Sequence, residues 1–299
     1  MCGIVGLFLK DKTLEPQLGS FFKPMLVAMG ERGSDSAGFA VYRDPVPTGH
    51  VKITAFHPDP LFEWGELADN MTQQLGTPVD ARVLATHVVL IARDSKPTAS
   101  EWLREQYPNI QITSTGSSIE IFKQVGAPDL VADRFGIDEL FGSHAIGHTR
   151  MATESAVTTE HSHPFSTGLD LCLVHNGSLS NHNRLRLELR HRGIVFETDN
   201  DSEVAAGYLT HKLQSGATLD EALQSGLLDL DGFFTFAVGS REGFAVLLDP
   251  IACKPAVLAE TDQWVAMASE YRALAHLPGA TTARIWEPAP ATVYSWSRN

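Results

Sequence analysis

The second residue of this chain is a cysteine, in Met1-Cys2-Gly3-Ile4-Val5-Gly6. Its place matters more than its type. An initiator methionine is normally removed when the next residue is small. Removal would leave a thiol and a free α-amine on one residue. The thiolate is the attacking species. An α-amine titrates near a pKa of about 8 and a thiol near about 8.5, so the amine can take the thiol proton. One residue then supplies nucleophile and base. Taken alone, Cys2 reads more readily as an accidental cysteine behind a start codon. Cys172, in the apolar run Leu171-Cys172-Leu173-Val174, and Cys253, beside Pro250 and Pro255, read as small core or turn residues. Three scattered cysteines argue against a disulfide framework and against a CxxC zinc site.

The elements around these residues read as follows. Gly3 to Leu9 is a buried strand, and Phe21 to Met29 has helical spacing. Arg32 to Gly38 is a polar turn that leads into a strand at Phe39 to Tyr42. Arg82 to Ala92 reads as one buried strand. Ser100 to Tyr107 reads as a short helix with Ser100 as N-cap. Gln111 to Phe122 carries two alternating runs around Gly116, and Pro128 to Leu140 reads as a helix. From Ala145 onward short strands dominate, with a hairpin signal at Phe233–Val238 and Phe244–Leu248. Leu169 to His175, Trp264 to Ala268 and Thr292 to Trp296 are further strands. Asn181 to Arg192 and Ser202 to Leu213 are helices. The pattern is α+β with mostly antiparallel strands.

Composition narrows the functional classes. The 299 residues are 43% hydrophobic and 20% charged, with a formal charge of −13. An acidic chain repels phosphate backbones, so nucleic acid is a poor partner. No apolar run has the length of a membrane span. The start lacks the basic and apolar segments of a signal peptide, so a cytoplasmic location is expected. The two histidines of His161-Ser162-His163-Pro164 lack a neighbouring cysteine or carboxylate cluster, and no metal is expected there.

Five segments in order carry a resemblance: the Cys2 start, Arg32-Gly33-Ser34-Asp35-Ser36-Ala37-Gly38, Gly147-His148-Thr149-Arg150-Met151-Ala152-Thr153, His175-Asn176-Gly177 and Asp201-Ser202-Glu203. Together the chain resembles the class II glutamine amidotransferases. That resemblance implies the N-terminal nucleophile hydrolase fold: a four-layer αββα sandwich of two antiparallel sheets. One domain would span 2–299, with an inserted α/β lobe at about 57–140. It implies L-glutamine as substrate and Cys2 as nucleophile. Asn176 and Gly177 would form the oxyanion hole. An amide NH₂ and a backbone N–H that can approach closely suit that task. Arg150 would grip the substrate carboxylate bidentately. Asp201 would hold the α-ammonium, in preference to Asp199, which reads as a cap or turn residue. His175 and Thr153 would join the substrate site, and Arg32 would belong to a loop that closes over bound glutamine. His148 reads as a structural hydrogen-bonder.

Later segments, Leu230 to Phe234, Leu248-Asp249-Pro250 and Ala268-Ser269-Glu270, resemble sheet elements of the same domain. No acceptor domain is expected behind them, so the ammonia acceptor is placed on another chain. In layout the chain resembles stand-alone glutaminase subunits of glutamate-synthase-like and N-methylglutamate synthase complexes. There a separate subunit carries FMN and an iron–sulfur cluster. This chain has too few cysteines for a cluster and no phosphate cradle, so no cofactor is expected on it. The insert is then either a docking lobe or a stabilising one. The alternatives are a free-standing N-terminal nucleophile amidohydrolase, or an amidotransferase serving a phosphoribosyl or sugar acceptor.

Overall fold

The computed structural model describes residues 2–94, 98–151 and 157–297. In chain order the elements are β1 (Gly3–Leu9), α1 (Leu18–Ala28), β2 (Ser36–Tyr42), β3 (His50–Phe56), α2 (Trp64–Leu75), β4 (Asp80–Leu84), β5 (His87–Arg93) and α3 (Ala99–Gln106). There follow β6 (Gln111–Gly116), β7 (Ile119–Val125), α4 (Pro128–Arg134), β8 (His144–Arg150), β9 (Cys172–Leu179), α5 (His182–His191), α6 (Asp201–Gln214) and α7 (Leu219–Asp229). The last are β10 (Gly232–Gly239), β11 (Gly243–Leu248), β12 (Val257–Glu260), β13 (Trp264–Ala268), β14 (Arg284–Trp286) and β15 (Val293–Ser297).

Strand alternation sorts β1 onto two faces. Val5, Leu7 and Leu9 pack under α1, against Phe22, Met25 and Leu26. Ile4 and Phe8 face the other way, into a layer with Val174, Phe244 and Met267. β1 lies at the centre of a sheet ordered β14-β12-β13-β1-β8-β2-β7. The sheet facing it runs β15-β11-β10-β9. The outer face of that second sheet, with Leu173, Phe234 and Phe236, is covered by α5, α6 and α7 through Leu185, Tyr208 and Leu223. Helix, sheet, sheet, helix is the αββα sandwich. Each fully buried Leu, Ile or Phe contributes about 1.5–3 kcal/mol.

A third sheet, β4-β5-β3-β6, forms the insert, with α2 and α3 on one face around Trp64, Leu67, Trp102 and Leu103. Its sheet runs from His50 to Gly116 and does not match the expected 57–140. β3 starts earlier than expected. β7 and α4 belong to the sandwich, because β7 pairs with β2 (Phe39 opposite Phe122) and α4 packs Val131 and Ala132 against α1.

Other differences have local causes. Arg82 to Ala92 is a hairpin, with Leu84 opposite His87 and Ala85 at φ 52°. A turn without Gly or Asn hides the break. Thr98, not Ser100, caps α3, in a reciprocal box with Glu101. Ser36 to Gly38 already belong to β2. The helix from Pro128 stops at Arg134, because Gly136 takes a left-handed conformation before a short 3₁₀ turn at Ile137–Glu139. Cys172 lies between the two main sheets, and burial pushes its thiol up to about 11. Cys253 is an exposed turn residue.

Candidate active site

β1 begins at Gly3, so Cys2 stands at one end of the sandwich, ahead of the central strand. Its carbonyl oxygen accepts two side-chain hydrogen bonds. Arg32 Nε donates at 2.9 Å and Asn176 Nδ2 at 3.2 Å. Asn176 alternates with Cys172 and Val174 on the inter-sheet face of β9. The two donors therefore reach Cys2 from different layers and fix its main chain, while the residue stays half-buried.

Arg32 ends a short 3₁₀ turn, Gly30–Arg32, and is nearly buried. Its Nη1 donates to Glu270 Oε1 at 2.7 Å. Glu270 also meets Arg272 at 2.8 Å, and Arg272 pairs with Glu31. The Arg32 hydrogen bond holds the Glu270 carboxyl below its usual range. The Arg32 guanidinium thus braces the Cys2 main chain. Sequence reasoning missed Glu270. The available signal was a Ser-Glu pair directly after an apolar strand. Ser269 also serves β1, since its Oγ accepts from Ile4 N and its N–H donates to Ile4 O, both at 2.9 Å.

Arg150 is the last residue of β8 and is nearly buried. Thr149 bonds Met29 O on the helix side, so alternation puts Arg150 on the inter-sheet face with Ile146 and His148. Gly33 presses on it: a Cβ there would lie 2.5 Å from the Arg150 carbonyl carbon. Asp35 N–H donates to Arg150 O at 3.0 Å. Gly177 has φ 153°, and a Cβ on it would lie 2.0 Å from Phe233 O. Only glycine fits that position.

Asp201 opens α6, where Asn200 Oδ1 caps by accepting from Ser202 N at 2.8 Å. Asp201 Oδ2 accepts from Leu179 N at 2.9 Å, which ties it to the end of the strand that carries Asn176. Asp199 points away. Its side chain is 92% exposed and bonds His161 Nε2 at 2.9 Å, which lowers its carboxyl pKa. Geometry thus separates the two aspartates. His175 is buried, and its Nδ1 lies 2.9 Å from Ser202 Oγ, so it faces α6 and not the Cys2 side of β9. On that side its Nδ1 lies 3.9 Å from Asp201 Oδ1. Thr153 lies outside the described residues. His148 stacks on His163 with ring centroids 4.1 Å apart, and burial lowers it to about 3, so it is neutral. Among the described residues no three His, Cys, Asp or Glu could hold a metal ion.

Residues 148–276 match the family model described as a glutamine amidotransferase domain. Over 297 residues the chain is 55% identical to the glutamine amidotransferase-like protein GlxB of Rhizobium meliloti (strain 1021), spanning 99% of this chain and 98% of that protein. The chain belongs to the class II glutamine amidotransferases. A putative glutamine amidotransferase of Methanothermobacter thermautotrophicus is 33% identical to this amidotransferase, over 98% of the chain and 99% of that protein. The solved allosteric regulatory enzyme of purine biosynthesis shares the fold with a TM-score of 0.63 at 20% identity. The match covers 99% of this chain and 47% of that one, so this amidotransferase spans about half its length. The sandwich is the N-terminal nucleophile hydrolase fold expected for the family.

Proposed function

We propose that this amidotransferase hydrolyses L-glutamine to glutamate and ammonia through a thioester on Cys2. The observation that carries the reading is the hydrogen bond of Asn176 Nδ2 to Cys2 O at 3.2 Å, which puts an amide donor beside the nucleophilic residue. With Met1 removed, the α-amine of Cys2 takes the Sγ proton as sulfur attacks the side-chain amide carbon. The Asn176 amide keeps a second N–H. With the Gly177 N–H it stabilises the tetrahedral oxyanion. The proton passes to the leaving nitrogen, and ammonia departs. The same amine then deprotonates a water, which cleaves the thioester and releases glutamate. Arg150 holds the α-carboxylate, Thr153 adds a hydroxyl to it, and Asp201 holds the α-ammonium.

The proposal extends to the fate of the ammonia. A separate synthase subunit of glutamate-synthase-like type receives it in the cytoplasm, with FMN and an iron–sulfur cluster on that subunit. Support comes from the Rhizobium relative, of which this chain spans 98%.

The test has two parts. Mass spectrometry of active protein should show Cys2 as the first residue. Cys2→Ala should lower ammonia release at least about a thousandfold with an unchanged circular dichroism spectrum. Turnover equal to wild type would refute the thioester. Full activity of the isolated chain, with nothing co-purifying from native cells, would remove the synthase partner and leave the hydrolase.

A further inference from the structure

Behind Asp201 lies a buried polar cluster that the reaction above does not use. Ser202 Oγ is 2.8 Å from His163 Nε2, 2.9 Å from His175 Nδ1 and 3.3 Å from Asp201 Oδ1. Ser202, His163 and His175 are all nearly inaccessible. A hydroxyl has one proton and two lone pairs. Burial holds both rings below the usual imidazole range, so each is neutral with one N–H to give. Donation to Asp201 Oδ1 uses the single O–H, and in that arrangement the two ring nitrogens serve as donors to the oxygen lone pairs. Leu179 N–H fixes the other oxygen at 2.9 Å. Each carboxylate oxygen then has one defined donor and keeps acceptor capacity for a cation. The His163 ring stacks on His148, two residues before Arg150 on β8. The groups assigned to the two charged ends of the amino acid therefore lean on one buried network.

We propose that Ser202, held by His163 and His175, is a positioning residue that orients Asp201 toward the substrate α-ammonium. The inference rests on Asp201 as the partner of that ammonium. It gives a task to the histidine of His161-Ser162-His163-Pro164 that faces inward, and it explains why His175 turns toward α6.

The experiment compares L-glutamine with glutaramate, which lacks the α-amino group, in the full chain and its variants. Ser202→Ala should raise KM for glutamine roughly tenfold, the scale of one hydrogen bond to a charged group, with kcat held within about twofold. Its kcat/KM for glutaramate should match wild type, and Ser202→Thr should restore the glutamine KM. An equal loss on both substrates would mean general loosening and would overturn the proposal. A wild-type KM in Ser202→Ala, with KM raised in Asp201→Asn, would overturn it and leave the Asp201 assignment standing. A wild-type KM in Asp201→Asn would overturn both. Should Ser202→Ala not fold, Ser202→Cys keeps the side-chain size with only a weak donor, and is judged by the same criteria.

Discussion

The mouth of the sandwich and its junction with the insert both bury polar groups, by different means. At the mouth, Arg32 is shared between Glu270 and the Cys2 carbonyl, and its buried companions His148, His163, His175 and Ser202 are neutral. At the junction one carboxylate meets three cations. Glu120 on β7 is buried, with Lys52 Nζ at 3.1 Å, Arg82 Nη2 at 2.5 Å and Arg43 Nη1 at 3.5 Å. Around it the contact is aromatic, with His87 against Phe56, Phe122 and Phe135. Neutral groups at the mouth orient atoms without opposing the charges of an incoming amino acid. Opposite charges at the junction attract and lock two lobes. The same residue types therefore serve positioning in one place and adhesion in the other.

The largest effect that would break this contrast is at the mouth. Asn176→Ala should lower kcat by about 10²–10³, the usual effect of losing one oxyanion donor. Its unfolding free energy should fall by no more than about 1.5 kcal/mol, the scale of one hydrogen bond. Steady-state ammonia release and urea titration measure the two. Loss of stability without loss of turnover would make Asn176 an adhesive residue and erase the distinction.

The junction should behave in the opposite way. Glu120→Gln leaves the Lys52 ammonium buried without a counter-charge, and should lower stability by about 3 kcal/mol. Turnover per folded molecule should not change. Arg82→Ala should do far less, about 0–1 kcal/mol, because its side chain is 44% exposed and water screens the pair. Urea titration orders the three proteins. A fall in kcat that tracks Glu120→Gln would show that the junction controls the mouth.

The mouth was the more legible region. Cys2, Arg150 and Asn176-Gly177 are short signatures whose residue types are dictated by the chemistry, and the fold brings them to one end. Glu270 was not legible because its partner Arg32 is 238 residues away. The edge of the insert was misread for a related reason. The runs on either side of Gly116 alternate alike, yet β6 pairs with β3 and β7 with β2. Only strand partners distinguish them. The link between β6 and β7 is held from outside by Asp170, whose carboxylate accepts from the N–H groups of Ser117, Ser118 and Ile119 at 2.8, 2.7 and 3.0 Å. Period-two patterning reports which face a residue takes, not which strand lies beside it.

Acid sharpens the comparison further, since each region contains a buried neutral imidazole. Burial lowers both His87, at the junction, and His148, at the mouth, to about 3. In the unfolded chain each titrates near about 6.5. Between about pH 6.5 and about pH 3 the unfolded chain binds a proton that the folded chain does not, so stability falls as pH falls. Above about pH 6.5 neither ring has this effect. Well inside the window each ring contributes up to about 1.4 kcal/mol per pH unit. His87→Phe, placed among Phe56, Phe122 and Phe135, removes the titrating group and keeps a ring. Urea titrations between about pH 6 and about pH 4.5 should show the wild-type slope reduced by about 1 kcal/mol per unit in this variant. An unchanged slope would mean that the His87 ring takes up its proton without unfolding, and that the acid sensitivity lies elsewhere than the junction.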